Sequence, residues 1–270
     1  MNFVKFNINI HNKIFKKYEK THFEIFNEVE QARLGCAISR ALSFLDKKPQ
    51  CEIKALDFGC GSGNITRHFI NLGLNVTAAD VSVNFLKLVQ QKYPTKNINF
   101  LLLNGRNLNN LEDNYYDIIA IYSVLHHVED YLKLIKELSQ KLNKKGILYI
   151  DHEVTEGFWQ PSELYLQFKS LVEPRKNYLN QSLNILRPSW YVTKLKKIFN
   201  PRYQPEGDIH VWPDDHIEWD KIKIILNDLG MEVKLEQDYL LFKDYYDSIV
   251  YNHFKNTCSD MKVLIAKKLT

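Results

Sequence analysis

Residues 56–64 read LDFGCGSGN: Asp57 closes an apolar run, and glycines follow at every second position, Gly59, Gly61 and Gly63. Glycine there lets the chain turn tightly, removes side chains that would block a ligand, and brings backbone N–H groups to the N-terminus of the next helix, which suits a carboxylate or a phosphate. A plain strand-to-helix turn has the same composition, so the neighbouring segments decide its meaning. Asp80 ends the next apolar run, 17 residues after Gly63, where a carboxylate can accept both hydroxyls of an adenosine ribose. Its other use is to cap the following helix, a task Ser82 can already fill. His126 and His127 follow a later apolar run; a histidine near its ordinary pKa can take a proton from an acceptor, or can simply cap or pack the next helix.

The elements that position these residues alternate in the manner of βα units. Strands are predicted at IKALDF, LNVTAAD, NINFLLL, YDIIAIY and ILYIDH, and, after a helix over 216–229, at MEVKLEQ and MKVLIAKKL. Between them, one helix carries Ile65, Phe69 and Leu72 and stops at Gly73; a second is capped by Ser82 and ends before Pro94. A third turns Leu132, Ile135, Leu138 and Leu142 inward and is closed by two lysines and Gly146. In an open sheet of this kind ligands sit beyond the carboxyl ends of the strands, which places Asp57, Asp80, Asn104 and Tyr122 on one rim.

Those rim residues resemble the class I S-adenosylmethionine-dependent methyltransferases. LDFGCGSGN is similar to their first motif, AAD to their ribose-binding acid, LLLNGRNL to the turn after the third strand, and YDIIAIYSVLHHVED with LNKKGILYIDH to the fourth and fifth strands. The resemblance implies an α/β, Rossmann-like fold with a seven-stranded, mostly parallel sheet and helices on both faces. It implies that amides around Gly59, Gly61 and Gly63 receive the methionine end of S-adenosylmethionine, with Asp57 ordering the turn and Asp80 on the ribose. Cys60, Val81 and Tyr122 complete the implied cofactor set, together with Asn104, which stands where the family usually has aspartate, and Gly105, whose N–H serves an adenine ring nitrogen. A nicotinamide dinucleotide fits less well. It calls for GxGxxG, and counting from Gly59 or from Gly61 the third glycine falls on Asn64 or Thr66.

Methyl transfer from a sulfonium is an in-line displacement, so a base is needed only where the acceptor is a hydroxyl. His126, His127 and His210 are the candidates for that base. Tyr18 and His22, one helical turn apart in an N-terminal helical cap, and Trp212 in IHVWPDDH are the candidates for touching substrate; His210 and Trp212 serve equally as a hinge. The chain divides into the cap at 1–48, the core at 49–153 and 216–270, and an insertion at 154–215 whose prolines and aromatics suit a lid over a small-molecule acceptor. Residues 11–34 are expected to roof the site, and the lid to be mobile until cofactor binds.

Composition bounds the alternatives. At 45% hydrophobic and 25% charged the chain reads as a globular protein, and a net charge of +4 spread along 270 residues gives no nucleic-acid footprint. No NPPY or DPPY follows the fourth strand, and no nucleic-acid partner is expected. Cys36, Cys51, Cys60 and Cys258 show no metal-ligand spacing, so no metal is expected. The longest apolar run is far short of the ~20 residues of a membrane span, no signal peptide is visible, and a cytoplasmic location is expected. PSWYVTKLKKIFNP, residues 188–201, mixes aromatics and lysines as an interfacial helix does, but it is short, and a solvated lysine face over a buried stripe is the expected arrangement, with peripheral membrane contact as the alternative. The functional expectation is therefore O- or N-methylation of a metabolite, natural product or sugar-containing intermediate. The alternatives are a lipid-phase acceptor such as a quinone, or a non-catalytic cofactor-binding partner protein.

Overall fold

The computed structural model describes residues 3–15, 17–94, 96–172, 188–205 and 207–269, with only the backbone at 188–190. Pro174 and Tyr178 of the expected lid, and the side chain of Trp190, lie outside the described residues. Seven strands form one sheet in the order β3-β2-β1-β4-β5-β7-β6: β1 Lys54–Phe58, β2 Asn75–Asp80, β3 Ile98–Leu102, β4 Tyr116–Tyr122, β5 Leu142–Val154, β6 Met231–Tyr239 and β7 Met261–Lys268. Pairing is parallel from β3 through β5, and β7 runs antiparallel to both β5 and β6. The strand order reverses between β1 and β4, and ligands of such sheets bind at that switch.

Continuous apolar runs make these strands because both faces are covered. One face packs on α4 (Glu28–Leu42), α5 (Asn64–Asn71) and α6 (Val83–Lys92) through Leu34, Ile38, Ile65, Phe69 and Val89. The other packs on α7 (Tyr131–Lys141) and α11 (Trp219–Asp228) through Ile135, Leu138, Ile222 and Leu226. Each such buried side chain contributes roughly 1.5–3 kcal/mol of transfer free energy. Ser82 caps α6, its hydroxyl accepting from the N–H of Phe85 at 3.3 Å, and Asp130 caps α7 through the N–H of Lys133 at 3.0 Å.

One local expectation changes. The helix expected to continue through Leu142 stops at Lys141, and Leu142 opens β5 opposite Tyr116. Gly146 permits that crossing, since a Cβ there would lie 2.9 Å from the Asn143 carbonyl oxygen and 3.1 Å from that of Tyr116. The N-terminal FVKFNINI, although it alternates polar and apolar residues, forms α1 (Phe3–Ile14) within the expected helical cap. Phe3, Val4, Asn7 and His11 share the face of α1 turned to the strand ends.

Short helices α2 (Tyr18–Thr21) and α3 (Phe23–Phe26) link α1 to α4. After β5 come α8 (Glu156–Trp159) and α9 (Glu163–Val172), and then α10 (Pro188–Phe199). Tyr165, Phe168 and Val172 of α9 form a separate small core with Leu240, Tyr246, Phe254 and Cys258, partly from α12 (Ser248–Phe254). Tyr165 and Phe168 of the expected lid therefore pack in a core of their own.

Candidate active site

A cavity of about 550 Å³ lies beyond the carboxyl ends of β1, β2, β3 and β4. Its wall includes Gly59, Cys60, Gly61, Asp80, Val81, Gly105 and Tyr122 from the expected cofactor set, while Asp57, Gly63 and Asn104 stand off it. Asp57 ties β1 to α5, its Oδ2 accepting from the N–H of Thr66 at 2.8 Å and from the Thr66 hydroxyl; burial pushes its carboxyl up to about 7. Asn104 is exposed and builds its own loop: its Oδ1 accepts from the N–H of Arg106 at 2.7 Å and of Asn107 at 3.0 Å, and Asn107 takes its place in the wall.

The glycine turn differs in detail from its expected use. The N–H groups of Gly59 and Cys60 both donate to the carbonyl of Ala79, at 2.8 and 3.0 Å, and that of Gly63 to the carbonyl of Cys60 at 2.8 Å. The N–H of Gly61 donates to Asp80 Oδ2 at 2.9 Å. These four amides are engaged within the protein. Two side-chain donors stand beside them: buried Ser62 Oγ and Asn64 Nδ2 line the cavity without a hydrogen-bond partner. Buried donors without partners are costly, and a carboxylate between them would remove that cost.

Asp80 is buried at the same wall, with Oδ1 accepting from the N–H of Ser82 at 2.7 Å. An ionised carboxylate has about four lone-pair sites, so two remain for a diol. Burial raises its pKa to about 6, which leaves it ionised at neutral pH. A Cβ on Gly61 would meet nothing within 4 Å, whereas one on Gly59 would lie 2.5 Å from Val124 Cγ2. Gly59 is thus required by packing and Gly61 keeps the wall open. Two unpartnered donors, a diol acceptor and a bare glycine wall match the methionine carboxylate and ribose of S-adenosylmethionine, so the residues present fit that cofactor.

The roof is α1 together with α2 and α3. Asn7 Nδ2 donates to the carbonyl of His127 at 3.0 Å, and Asn12 Oδ1 accepts from the hydroxyl of Ser82 at 2.7 Å, which pins α1 across the rim between β4 and β2. His11, Tyr18, Ile25 and Phe26 also line the cavity, so part of the 11–34 segment faces it.

A second cavity of about 290 Å³ shares His11, Tyr18, Ile25, Ser123 and His127 with the first. It adds His22, His126, His152, Glu153, Asp208 and His210, with Phe158 and Trp159 of α8 as an aromatic wall. Tyr18 and His22 lie together, with ring centroids 4.3 Å apart, and His22 Nδ1 is 3.2 Å from Glu24 Oε1. Burial drives His127 well below its ordinary pKa, and drives His11 down to about 4, with His126 adding to both effects. His126 Nδ1 pairs with Glu153 Oε2 at 2.8 Å. Both ring nitrogens of His210 face main-chain carbonyls, of Val128 at 3.2 Å and of Asp215, so of its two expected roles the geometry suits the hinge. Trp212 lines neither cavity.

Under the second cavity Tyr122 and His152 stack, 4.9 Å between centroids, and the Tyr122 hydroxyl donates to Glu30 Oε1 at 3.2 Å. Ser123 and His152 both adopt left-handed backbone, φ 59° and 61°, which costs a non-glycine residue on the order of 1 kcal/mol each and is found most often at functional sites. Among the described residues no cluster of three or more metal-ligating side chains occurs, and no helix is long and apolar enough to cross a membrane.

Comparison with known proteins points the same way. A family described as a methyltransferase domain matches residues 56–150. The ubiquinone biosynthesis O-methyltransferase of Pelagibacter ubique is 32% identical over 176 residues, covering 54% of this chain and 72% of that protein. Thiol S-methyltransferase TMT1B of Rattus norvegicus is 24% identical, covering 65% of this chain and 66% of that protein. In structure, an S-adenosylmethionine-dependent methyltransferase of Mesorhizobium loti superposes with a TM-score of 0.55 at 14% identity, over 85% of this chain and 96% of that one, which is a likeness of fold. The chain spans between about half and two-thirds of the length of the first curated relatives it matches.

Proposed function

The chain belongs to the class I S-adenosylmethionine-dependent methyltransferases, and we propose that it methylates an oxygen, or failing that a nitrogen, of a compact small molecule held in the second cavity. The observation that carries this reading is the junction of the two cavities through His11, Tyr18, Ser123 and His127. S-adenosylmethionine supplies a methyl group already activated on a sulfonium sulfur. What the chain must add is alignment and, for a hydroxyl, removal of a proton. Gly61, Ser62, Asn64 and Asp80 would hold the cofactor in the first cavity, Tyr18 and Phe158 would flank the acceptor, and His126 stands on the acceptor side. At about 290 Å³ the acceptor cavity is at the small end for ligand pockets, which suits one ring or the reactive end of a longer molecule.

A lipid-phase acceptor is favoured by one observation. The apolar residues of α10 are exposed: Leu195 by 54%, Ile198 by 72% and Phe199 by 87%. The expectation that this stripe is buried beneath a lysine face is not met. A non-catalytic binding protein would keep the first cavity but has no use for the second.

The direct test incubates the protein with S-adenosylmethionine and catechol, a short-chain quinol or a primary amine, and measures S-adenosylhomocysteine by mass spectrometry. Acceptor-dependent product supports the reading, and the preferred probe gives the acceptor atom. Tight cofactor binding with no turnover on any of these probes, or on a thiol added as a fourth, would move the protein to the non-catalytic class.

A further inference from the structure

Glu153 is a buried carboxylate for which strand packing alone gives no reason. It is 1% exposed and lies where the register of β5 against β7 shifts, beside the left-handed His152. Three donors converge on it: the N–H of Val124 at 2.8 Å, the N–H of Leu125 at 2.7 Å, and His126 Nδ1 at 2.8 Å. Both His126 and Glu153 line the second cavity. A carboxylate only accepts, so the proton of a neutral His126 ring resides on Nδ1 and Nε2 is its basic nitrogen.

We propose that Glu153 is the positioning residue of a His126–Glu153 dyad that accepts the proton of a hydroxyl acceptor. The proposal rests on the methyl-transfer reading above and names the residue that makes the proton transfer work. Nε2 takes the hydroxyl proton while the acceptor oxygen bonds to the methyl carbon, and the electron pair of the broken carbon–sulfur bond stays on sulfur. The imidazolium that forms is stabilised by Glu153 and returns its proton to solvent. The neighbouring imidazoles are poor substitutes: burial depresses His127 and His11, and His152 is pushed down to about 3 by burial, then by Arg33.

Glu153→Gln separates positioning from mere support of the loop. The glutamine oxygen can still accept from Val124 and Leu125, but its NH₂ now faces Nδ1 and forces the ring proton onto Nε2. With catechol as probe, turnover should fall ~10²- to 10³-fold while S-adenosylmethionine affinity stays within about 2-fold. ¹⁵N spectra of His126 should show the Nδ1–H form in the wild type and the Nε2–H form in the variant. Glu153→Asp, which keeps the acceptor chemistry, should recover part of the rate, and Glu153→Gln combined with His126→Ala should be no slower than His126→Ala alone.

Wild-type turnover in Glu153→Gln alongside an inactive His126→Ala would overturn the dyad and leave the methyl-transfer reading standing. An Nε2–H form in the wild type would overturn it too, with no activity measurement needed. Failure of every acceptor in the wild type would instead remove the methyl-transfer reading, and the spectra would still report on the dyad.

Discussion

Arg33 of α4 places its guanidinium 2.9 Å from the carboxylate of Asp151, a side chain with no solvent exposure at the end of β5. The same guanidinium holds Glu30 through two hydrogen bonds, at 2.6 and 2.8 Å, and stacks 3.8 Å above the Tyr239 ring. Tyr149 and Tyr239 donate to Asp151 in turn. The N-terminal cap is therefore joined to the sheet by ionic contacts as well as apolar ones. Arg33→Met would leave two buried carboxylates without their cation. Breaking a buried pair in this way costs roughly 3–5 kcal/mol, so the unfolding free energy from urea titration should fall by that amount; a loss below about 1 kcal/mol would mean that the cap is held by packing alone.

The two glycines at the mouth of the turn should separate in mutagenesis. Both have positive φ, 74° at Gly59 and 50° at Gly61, so alanine costs roughly 1–2 kcal/mol of backbone strain at either. At Gly59 the new Cβ also meets Val124 Cγ2 at 2.5 Å, and at Gly61 it meets nothing. Gly59→Ala should therefore lower the melting temperature more. Gly61→Ala should fold and bind S-adenosylmethionine at least ~10-fold more weakly, a loss of about 1.4 kcal/mol. Equal affinity in Gly61→Ala, measured by calorimetry, would show that its open face is not where the cofactor lies.

How much of this was legible follows from the range over which each feature is specified. The strands, the turn residues and the Ser82 cap are local patterns, and the βα rhythm points to a mostly parallel sheet, but the order of its strands, with β7 antiparallel between β5 and β6, is set by long-range pairing. What escaped depends on distant partners. Glu153 lies 27 residues from His126 and just past the strand read as ILYIDH, and its direction comes from a bulge that no residue type announces. α1 alternates in sequence, yet Val4 packs over Gly105, where a Cβ would come within 2.5 Å of it. Asn104 occupies the family's position, but in an exposed turn its carbonyl is taken by the next amides, which moves Asn107 to the wall.

Exposed apolar residues on α10 alternate with Lys194, Lys196 and Lys197, a composition that gains from burial in a headgroup layer and from attraction to anionic lipid. Vesicles of mixed neutral and anionic lipid should pull the protein down in flotation. Ile198→Glu combined with Phe199→Glu should abolish this while leaving cofactor affinity unchanged, because neither residue touches either cavity. No flotation at low salt would end the case for a lipid-phase acceptor.

Cofactor affinity should depend on pH through Asp80. Burial raises its carboxyl from 3.8 to about 6 in the folded protein. A raised carboxylate pKa means that the folded chain binds more protons than the unfolded one, so this group makes the ligand-free fold less stable as pH rises from about 4 through about 6. The bound diol needs the ionised form, so S-adenosylmethionine affinity should run the other way, falling as pH drops below about 6 and levelling above about 7. Asp57, raised to about 7 by burial, titrates nearby, but its Oδ2 is engaged by Thr66 and it lies off the cavity wall. Asp80→Asn decides between them. It removes a charged acceptor worth roughly 1.5–3 kcal/mol, which is about 10- to 100-fold in affinity, and should flatten the pH profile. Calorimetry from acid to neutral pH on both proteins is the measurement. A profile that keeps its step in Asp80→Asn would transfer the titration to Asp57 and take the ribose contact away from Asp80.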